Sequence, residues 1–446
     1  MTLQRVLTQL GTRYPAEDHM VPDLDRIRLL TELLGDPQKA YPAIHLTGTN
    51  GKTSTARMID ALLRAFGLRP GRYTSPHLHS VTERITIDGE PLTEERFVEV
   101  FDELAPYVDL VDARSTTPVT FFEVLTAMAV AAFADAPVDV AVVEVGLGGG
   151  WDATNVLDAS TAVILPVGLD HVPLLGTTVA QVAAEKAGII AAGSTAVLAA
   201  QPPEAAEVLL RRCVEVGATP VREGLEYGLL HRRPAVGGQL LTLQGLGGVY
   251  DEIFLPLHGP HQAQNAAAAL AAVEAFLGGA VQGGGAGGML DVTSVRSGFA
   301  AASSPGRLEV VRTSPTVLVD ASHNAPGMAA TVAALGEAFA FTSLIAVVAC
   351  LADKDVPAIL STLEPAITAL VVTENSSPRR MSADDLAALA NDIMGEDRVH
   401  VEDRLDDALD TAVRLAEETE EYGAAGVLVT GSVVTAGEAR ALLRLR

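Results

Sequence analysis

The stretch "HLTGTNGKTSTARM", His45 to Met58, decides how the rest of the chain is read. A short apolar run enters a glycine-rich turn, and the turn ends in a lysine followed by a threonine. A turn between a strand and a helix aims backbone N–H groups at one point, and the helix N-terminus adds positive potential there. Lys52 supplies a point charge for terminal phosphates, and the Thr53 hydroxyl is placed to reach a magnesium ion. The loop is short. Only Thr49 and Asn50 separate Gly48 from the Gly51-Lys52 pair, where the common phosphate loop has four residues in that interval. A tight turn with a surface lysine is the competing reading, but it does not explain strand, loop, lysine, hydroxyl and helix in that order.

Working outward, "AIHLT" (Ala43–Thr47) reads as the strand before the loop, with a helix from Thr53 to about Phe66 after it. "VDVAVVEV" (Val138–Val145), "STAVILPV" (Ser160–Val167) and "TAVLAA" (Thr195–Ala200) are further apolar strands, separated by helical patterns from about Thr120 to Ala134 and after Thr177. Such alternation predicts an α/β fold with a parallel sheet covered on both faces. Tyr227 to Leu257 alternates apolar and polar residues and predicts an antiparallel excursion. "GGAVQGGGAGG" (Gly278–Gly288) reads as a mobile low-complexity loop. A second strand–helix series follows, with strands at Thr316–Asp320, Ser343–Cys350, Thr368–Glu374 and Ala425–Gly431. The boundary falls near Ser303–Pro305, giving a larger unit with the phosphate loop over 1–302 and a smaller α/β unit over 303–446.

The chain has 446 residues and a net charge of −25. Nucleic acid is an unsuitable partner for that balance, because phosphate backbones are bound by an excess of Lys and Arg. A local basic pocket for a small anion remains compatible with it. Cys213 and Cys350 are far apart in apolar surroundings and read as buried thiols. The N-terminal "MTLQRVLTQLGTRY" lacks a long apolar run, and Phe121–Gly150 is too interrupted by acids for a membrane span. A cytoplasmic protein that uses no membrane is expected.

Ligands of open α/β sheets bind at the carboxyl edge of the strands. Ser75 in "RYTSPHL", Glu144 at one strand end, and Asp170 and His171 after another all belong to that edge, and magnesium takes hard oxygen ligands. Each also has an ordinary alternative, as an edge carboxylate or a loop histidine. "GLGGGW" (Gly146–Trp151) begins like a dinucleotide fingerprint, but Trp stands where a small residue is needed and no helix clearly opens there. It reads as a flexible loop beside the site.

Taken as an ordered set, "TGTNGKTS", "YTSPHL", "FFEVLTAMA", "VVEVGLGG" with "DATN", "GLDH", "EKAGII", "HGPHQAQNAAAA", "SPGRLE" and "DASHN" resemble the folylpolyglutamate and dihydrofolate synthases, which belong with the Mur ligases. The resemblance runs from about Leu24 to the C-terminus and is weakest at Tyr227–Leu257 and Gly278–Gly288. It implies an N-terminal Mur-ligase-type ATPase domain and a Rossmann-like C-terminal domain with the active site between them. It implies ATP-dependent phosphorylation of a pterin carboxylate, then attack on the acyl phosphate by the amine of L-glutamate. Dihydropteroate and reduced folates would be the acceptors, and the protein would be a monomer.

Carried over by position, Thr49, Asn50, Gly51, Lys52 and Thr53 would form the phosphate loop. Asn265, Arg307 and Asp320 would contact the nucleotide. Ser75, Glu144 and His171 would hold magnesium, and Lys186 matches a lysine that is carbamylated in the superfamily and helps hold a second ion. Without the resemblance Lys186 reads as an ordinary helix lysine. His323 would orient glutamate or help to deprotonate it. The pterin would draw on His19, Met20, Val21 and Pro22, on Thr120, Phe121, Phe122 and Glu123, and on Trp151, Asp152 and Ala153. A monovalent cation is a further cofactor that this reading leaves open. "GGGWDATN" and the serine of "DASHN" depart from the commoner family pattern without removing a ligand. Two other readings stand beside this one: a cell-wall Mur-type ligase, for which the 47 residues before Gly48 are too few to hold a UDP-sugar domain, and a nucleotide-gated scaffold without turnover.

Overall fold

A computed structural model describes residues 2–13, 23–280, 288–419 and 424–444. Three sheets organise them. In the first, β1 (Ala43–Thr47), β2 (Pro70–Tyr73), β3 (Ile85–Ile87), β4 (Glu90–Pro91), β5 (Val140–Glu144), β6 (Thr161–Ile164), β7 (Thr195–Leu198) and β8 (Thr219–Arg222) lie in the order β4-β3-β2-β5-β1-β6-β7-β8. From β2 to β8 the pairing is parallel, and β3 and β4 add an antiparallel margin. β1 and β5 are buried along their whole length, as a sheet covered on both faces requires. β1 sits between β5 and β6, with His45 opposite Val143 on one side and Ala162 on the other. The chain leaves β1 toward one side and later returns to the other, which opens a crevice at the carboxyl end of β1.

The antiparallel excursion is a three-stranded sheet of β9 (Gly228–Ala235), β10 (Gly238–Gln244) and β11 (Val249–Leu255). The helix Pro260–Ala280 shares one apolar core with this small sheet and with the main sheet. Ala263 and Ala266–Ala272 are therefore buried around its whole circumference, which is why its sequence lacks a polar face. That helix takes in Gly278 and Gly279 of the expected glycine-rich loop, and residues 281–287 lie outside the described set.

The third sheet holds β12 (Glu309–Thr313), β13 (Thr316–Val319), β14 (Ser343–Val348), β15 (Ala369–Val372), β16 (Val399–Val401) and β17 (Ala425–Thr430), in the order β12-β13-β17-β14-β15-β16. Only β12 is antiparallel. The sequence reading anticipated four of these strands. It missed β12 and β16 because edge strands are half-exposed and lack a continuous apolar run. No helix among the described residues is long and apolar enough to cross a membrane. Both cysteines are buried and free.

Candidate active site

The phosphate loop leaves β1 and enters the helix Lys52–Ala65 through Gly51. Gly51 has φ 88°, and a Cβ there would stand 2.6 Å from Asn265 Oδ1, so both backbone and space call for glycine. Asn265 in turn donates to Gln262 (3.2 Å), Gln262 donates to Ser54 (3.3 Å), and the Ser54 and Ser304 hydroxyls are 2.9 Å apart. Thr49 anchors the other side of the loop. Its N–H donates to Pro166 O, and its hydroxyl donates to Gly168 O (3.0 Å) while accepting from Gly168 N (2.9 Å).

Lys52 Nζ donates to Gly48 O (3.0 Å) and Thr49 O (3.2 Å), and Lys186 Nζ, from the helix Val179–Lys186, donates to the same Gly48 carbonyl at 3.1 Å. Two amines thus converge on one acceptor. Burial lowers the pKa of both, with Glu144 and Asp170 opposing the shift at Lys52. For Lys186, burial and then the Lys52 charge push it down to about 7. Glu144, at the end of β5, is 1% exposed and accepts Thr53 Oγ1 on both oxygens (3.0 Å each) and Ser75 N (3.3 Å). Burial raises its pKa against the pull of Lys52. Ser75, Glu144, His171, Lys52, Lys186, Arg307 and His323 all line one cavity. Asn265, Asp320 and Arg307 line the adjoining one, which shares the loop residues Thr49, Asn50 and Gly51.

The second domain closes directly on the loop. Asn50 and Asn324 exchange side-chain amide hydrogen bonds (3.3 and 3.2 Å). Asp170 accepts from Asn324 at 3.4 Å and pairs with Lys354 at 3.5 Å. Burial pushes the Asp170 pKa up, but His171, Lys354 and His323 outweigh it and hold the group below the ordinary value. Asp320 Oδ2 accepts Leu308 N, and its Oδ1 accepts Ser322 N and Thr331 Oγ1. His323 Nδ1 lies 3.0 Å from Ala321 O. A carbonyl only accepts, so Nδ1 carries the proton and Nε2 is the acceptor. Burial pulls this imidazole down to about 4.

The Mur ligase middle domain matches residues 46–273, and the Mur ligase glutamate ligase domain matches residues 306–433. The dihydrofolate synthase/folylpolyglutamate synthase of Mycobacterium tuberculosis is 49% identical over 462 aligned positions, covering 99% of this chain and 94% of that protein. The chain belongs to the folylpolyglutamate synthase family of Mur ligases. The Mycobacterium tuberculosis folylpolyglutamate synthase solved with ADP and AMPPCP is similar at TM-score 0.93 and 50% identity, over 99% of this chain and 98% of that one. The Escherichia coli protein solved with DHPP and ADP is similar at TM-score 0.86 and 28% identity, over 100% and 98%.

Against that family frame, the residues expected at the pterin divide. His19, Met20, Val21 and Pro22 lie outside the described residues. Thr120 and Glu123 form a capping box at the start of the helix Phe121–Asp135. Glu123 is also held by Arg26 (3.1 and 3.2 Å from Nε). Phe121 is buried, with the Arg84 guanidinium 5.3 Å from its ring centroid. Asp152 is 3% exposed. Its oxygens accept Leu147 N (2.8 Å), Thr154 N (3.0 Å) and Thr154 Oγ1, and Thr154 is reached by His45 Nε2 at 2.8 Å. Ala153 is buried too. These contacts build Thr120, Phe121, Glu123, Asp152 and Ala153 into the framework of the fold. Phe122 and Trp151 remain half-buried.

The loop Gly146–Trp151, read from sequence as flexible, makes several hydrogen bonds to its surroundings. Thr47 Oγ1 donates to Gly148 O (2.7 Å), Gly150 N donates to Glu185 O (2.9 Å), and Trp151 N donates to Glu185 Oε1 (3.0 Å). Sequence reasoning missed Lys354 and Asn324. Lys354 follows the carboxyl end of β14, so the edge rule applied to the third sheet would have found it. Asn324 caps the helix Ala325–Ala338, and a polar residue just before a proline-started helix was a legible cap signal.

Proposed function

We propose that this chain is an ATP-dependent ligase that makes dihydrofolate from dihydropteroate and extends reduced folates with L-glutamate. The observation that carries the reading is the convergence of Lys52, Glu144 and Lys186 at one end of β1, facing His323 and Arg307 of the second domain. A carboxylate is a poor electrophile, and phosphorylation gives it a leaving group. The loop N–H groups and Lys52 orient the triphosphate and neutralise charge on the group in flight. The γ-phosphoryl passes to the acceptor carboxylate, the glutamate amine attacks the acyl phosphate, the C–O bond to phosphate breaks, and an amide remains. His323, held low in pKa, is a weak base for an ammonium. Its free Nε2 accepts a hydrogen bond from the amine and so orients it.

The donor set fits magnesium. Glu144 is a buried carboxylate in need of a counter-charge, flanked by the Thr53 hydroxyl and by Ser75. No cluster of three or more His, Cys, Asp or Glu is placed to hold a metal among the described residues. Magnesium keeps several waters and takes phosphate oxygens as ligands. Ser75, Glu144 and His171 would hold it, and it would supply charge neutralisation to the phosphates. Lys186, depressed in pKa and beside Lys52, suits carbamylation as a ligand for a second ion. A monomer is part of the reading. The test is a two-acceptor assay with Mg-ATP and L-glutamate, one tube with dihydropteroate and one with tetrahydrofolate, reading phosphate release and product mass. A one-glutamyl gain in both is expected. No gain in either overturns the reading.

A further inference from the structure

Arg57 has no part in the chemistry above. It lies four residues after Thr53 on the same helix and hence on the same face. Its guanidinium is half-buried and has no hydrogen bond or ion pair within the described residues. With Arg307, Thr53, Thr74, Glu83 and Ser304 it lines a small cleft of about 30 Å³ between the two domains. The cleft shares Thr53, Pro76, Arg307 and Val433 with the phosphate cavity. Arg307 likewise has no side-chain partner within the described residues. Glu83 already takes the N–H groups of Leu78 (3.0 Å), His79 and Ser80 (3.1 Å each). Asp60, the nearest acid on the helix of Arg57, is committed to Arg72 (3.1 Å) and Arg64 (3.2 Å). Two unpaired guanidiniums therefore face one committed carboxylate.

A half-buried guanidinium without a counter-charge is partly desolvated, and its planar fork matches a carboxylate in two parallel hydrogen bonds. We propose that Arg57 binds a carboxylate of a glutamyl unit at the inter-domain cleft beside the phosphate loop. This rests on the ligase reading. The carboxylate belongs either to the incoming amino acid or to the glutamyl tail of a folate acceptor.

The experiment measures steady-state kinetics of the full chain with Arg57→Gln and Arg57→Lys, using dihydropteroate, which has no glutamyl tail, and tetrahydrofolate, which has one. A charge-assisted pair of this kind is worth about tenfold or more in KM. If the site holds the incoming amino acid, Arg57→Gln raises KM for L-glutamate with both acceptors. If it holds the tail, only KM for tetrahydrofolate rises. In either case KM for ATP stays put and Arg57→Lys recovers part of the loss. Unchanged KM values for glutamate and tetrahydrofolate overturn the site, as does a rise confined to ATP. Should Arg57→Gln fail to fold, Arg57→Lys keeps the charge but loses the fork: a raised KM supports the site and an unchanged one overturns it. A wild-type enzyme that adds glutamate to neither acceptor refutes the ligase reading instead.

Discussion

Lys186 gives the sharpest quantitative prediction. A carbamate forms only from the neutral amine: its lone pair attacks the carbon of CO2, the N–C bond forms, and the amine proton leaves to solvent. An ordinary lysine near 10.4 is neutral in roughly one molecule in 2,500 at pH 7. Lys186, pushed down to about 7 by burial and by Lys52, is about half neutral there. Its neutral fraction rises from about 0.1 at pH 6 to about 0.9 at pH 8, on the ordinary titration curve. Protein stripped of CO2 at low pH should therefore regain activity about tenfold faster at pH 8 than at pH 6, at constant dissolved CO2, and the rate should level off above pH 8. An unperturbed lysine would instead gain about tenfold per pH unit through pH 9. The assay pairs activity recovery with NMR detection of isotopically labelled carbamate. A rate that keeps climbing, or full activity without CO2, would falsify the assignment. Lys52→Met should move the labelling curve to higher pH, because it removes the neighbouring positive charge that helps lower Lys186.

Replacing Glu144 by Gln keeps the shape but removes the buried charge, and kcat should fall by about a hundredfold or more. Magnesium titrations should show weaker half-saturation, and an unchanged magnesium dependence would refute the assignment. Gly188→Ala would place a Cβ 2.3 Å from Gly150 Cα and 2.7 Å from Gly150 N, both backbone atoms. It should destabilise the chain by about 1–3 kcal/mol, read as a lower denaturant midpoint. His323, pulled down to about 4 by burial, stays neutral at every pH above that. The kcat profile should therefore show no loss assignable to it between pH 5 and 7, and His323→Gln, which keeps an acceptor, should retain more activity than His323→Ala.

Most of the fold was legible because buried strands announce themselves. β1, β5, β6 and β7 are continuous apolar runs flanked by helical periodicity, and so are the four central strands of the third sheet. β12 and β16 escaped because one face of each meets solvent, and β3 and β4 because they are too short to show a period. The phosphate loop was legible for a different reason, since its chemistry is local: a strand, a glycine turn, a lysine and a hydroxyl are contiguous in the chain. The partners of the neighbouring acids were not legible, because they come from distant parts of the chain or from burial that only the fold sets. In three dimensions Asp152 is enclosed and held by Leu147 and Thr154, and Glu123 by Thr120 and Arg26.

The inter-domain contacts explain why the phosphate loop and the second domain work as one unit. Asn50 lies within the loop, and its amide is exchanged with Asn324, which also caps a helix of the other domain by accepting Gly327 N at 2.8 Å. Asp170, two residues beyond the Gly168 that clasps Thr49, is tied to the same Asn324 and to Lys354. On the far side, Ser54 meets Ser304 in the linker. A nucleotide settling on the loop therefore touches a segment that meets the second domain directly at Asn50 and the linker at Ser54. Any shift of the loop that improves phosphate contacts is opposed or aided by where that domain sits, so nucleotide affinity and domain placement are linked and each must bias the other equally. The same domain brings Arg307 and His323 to the cavity that the loop lines, so its placement also sets where those two side chains stand relative to the phosphates.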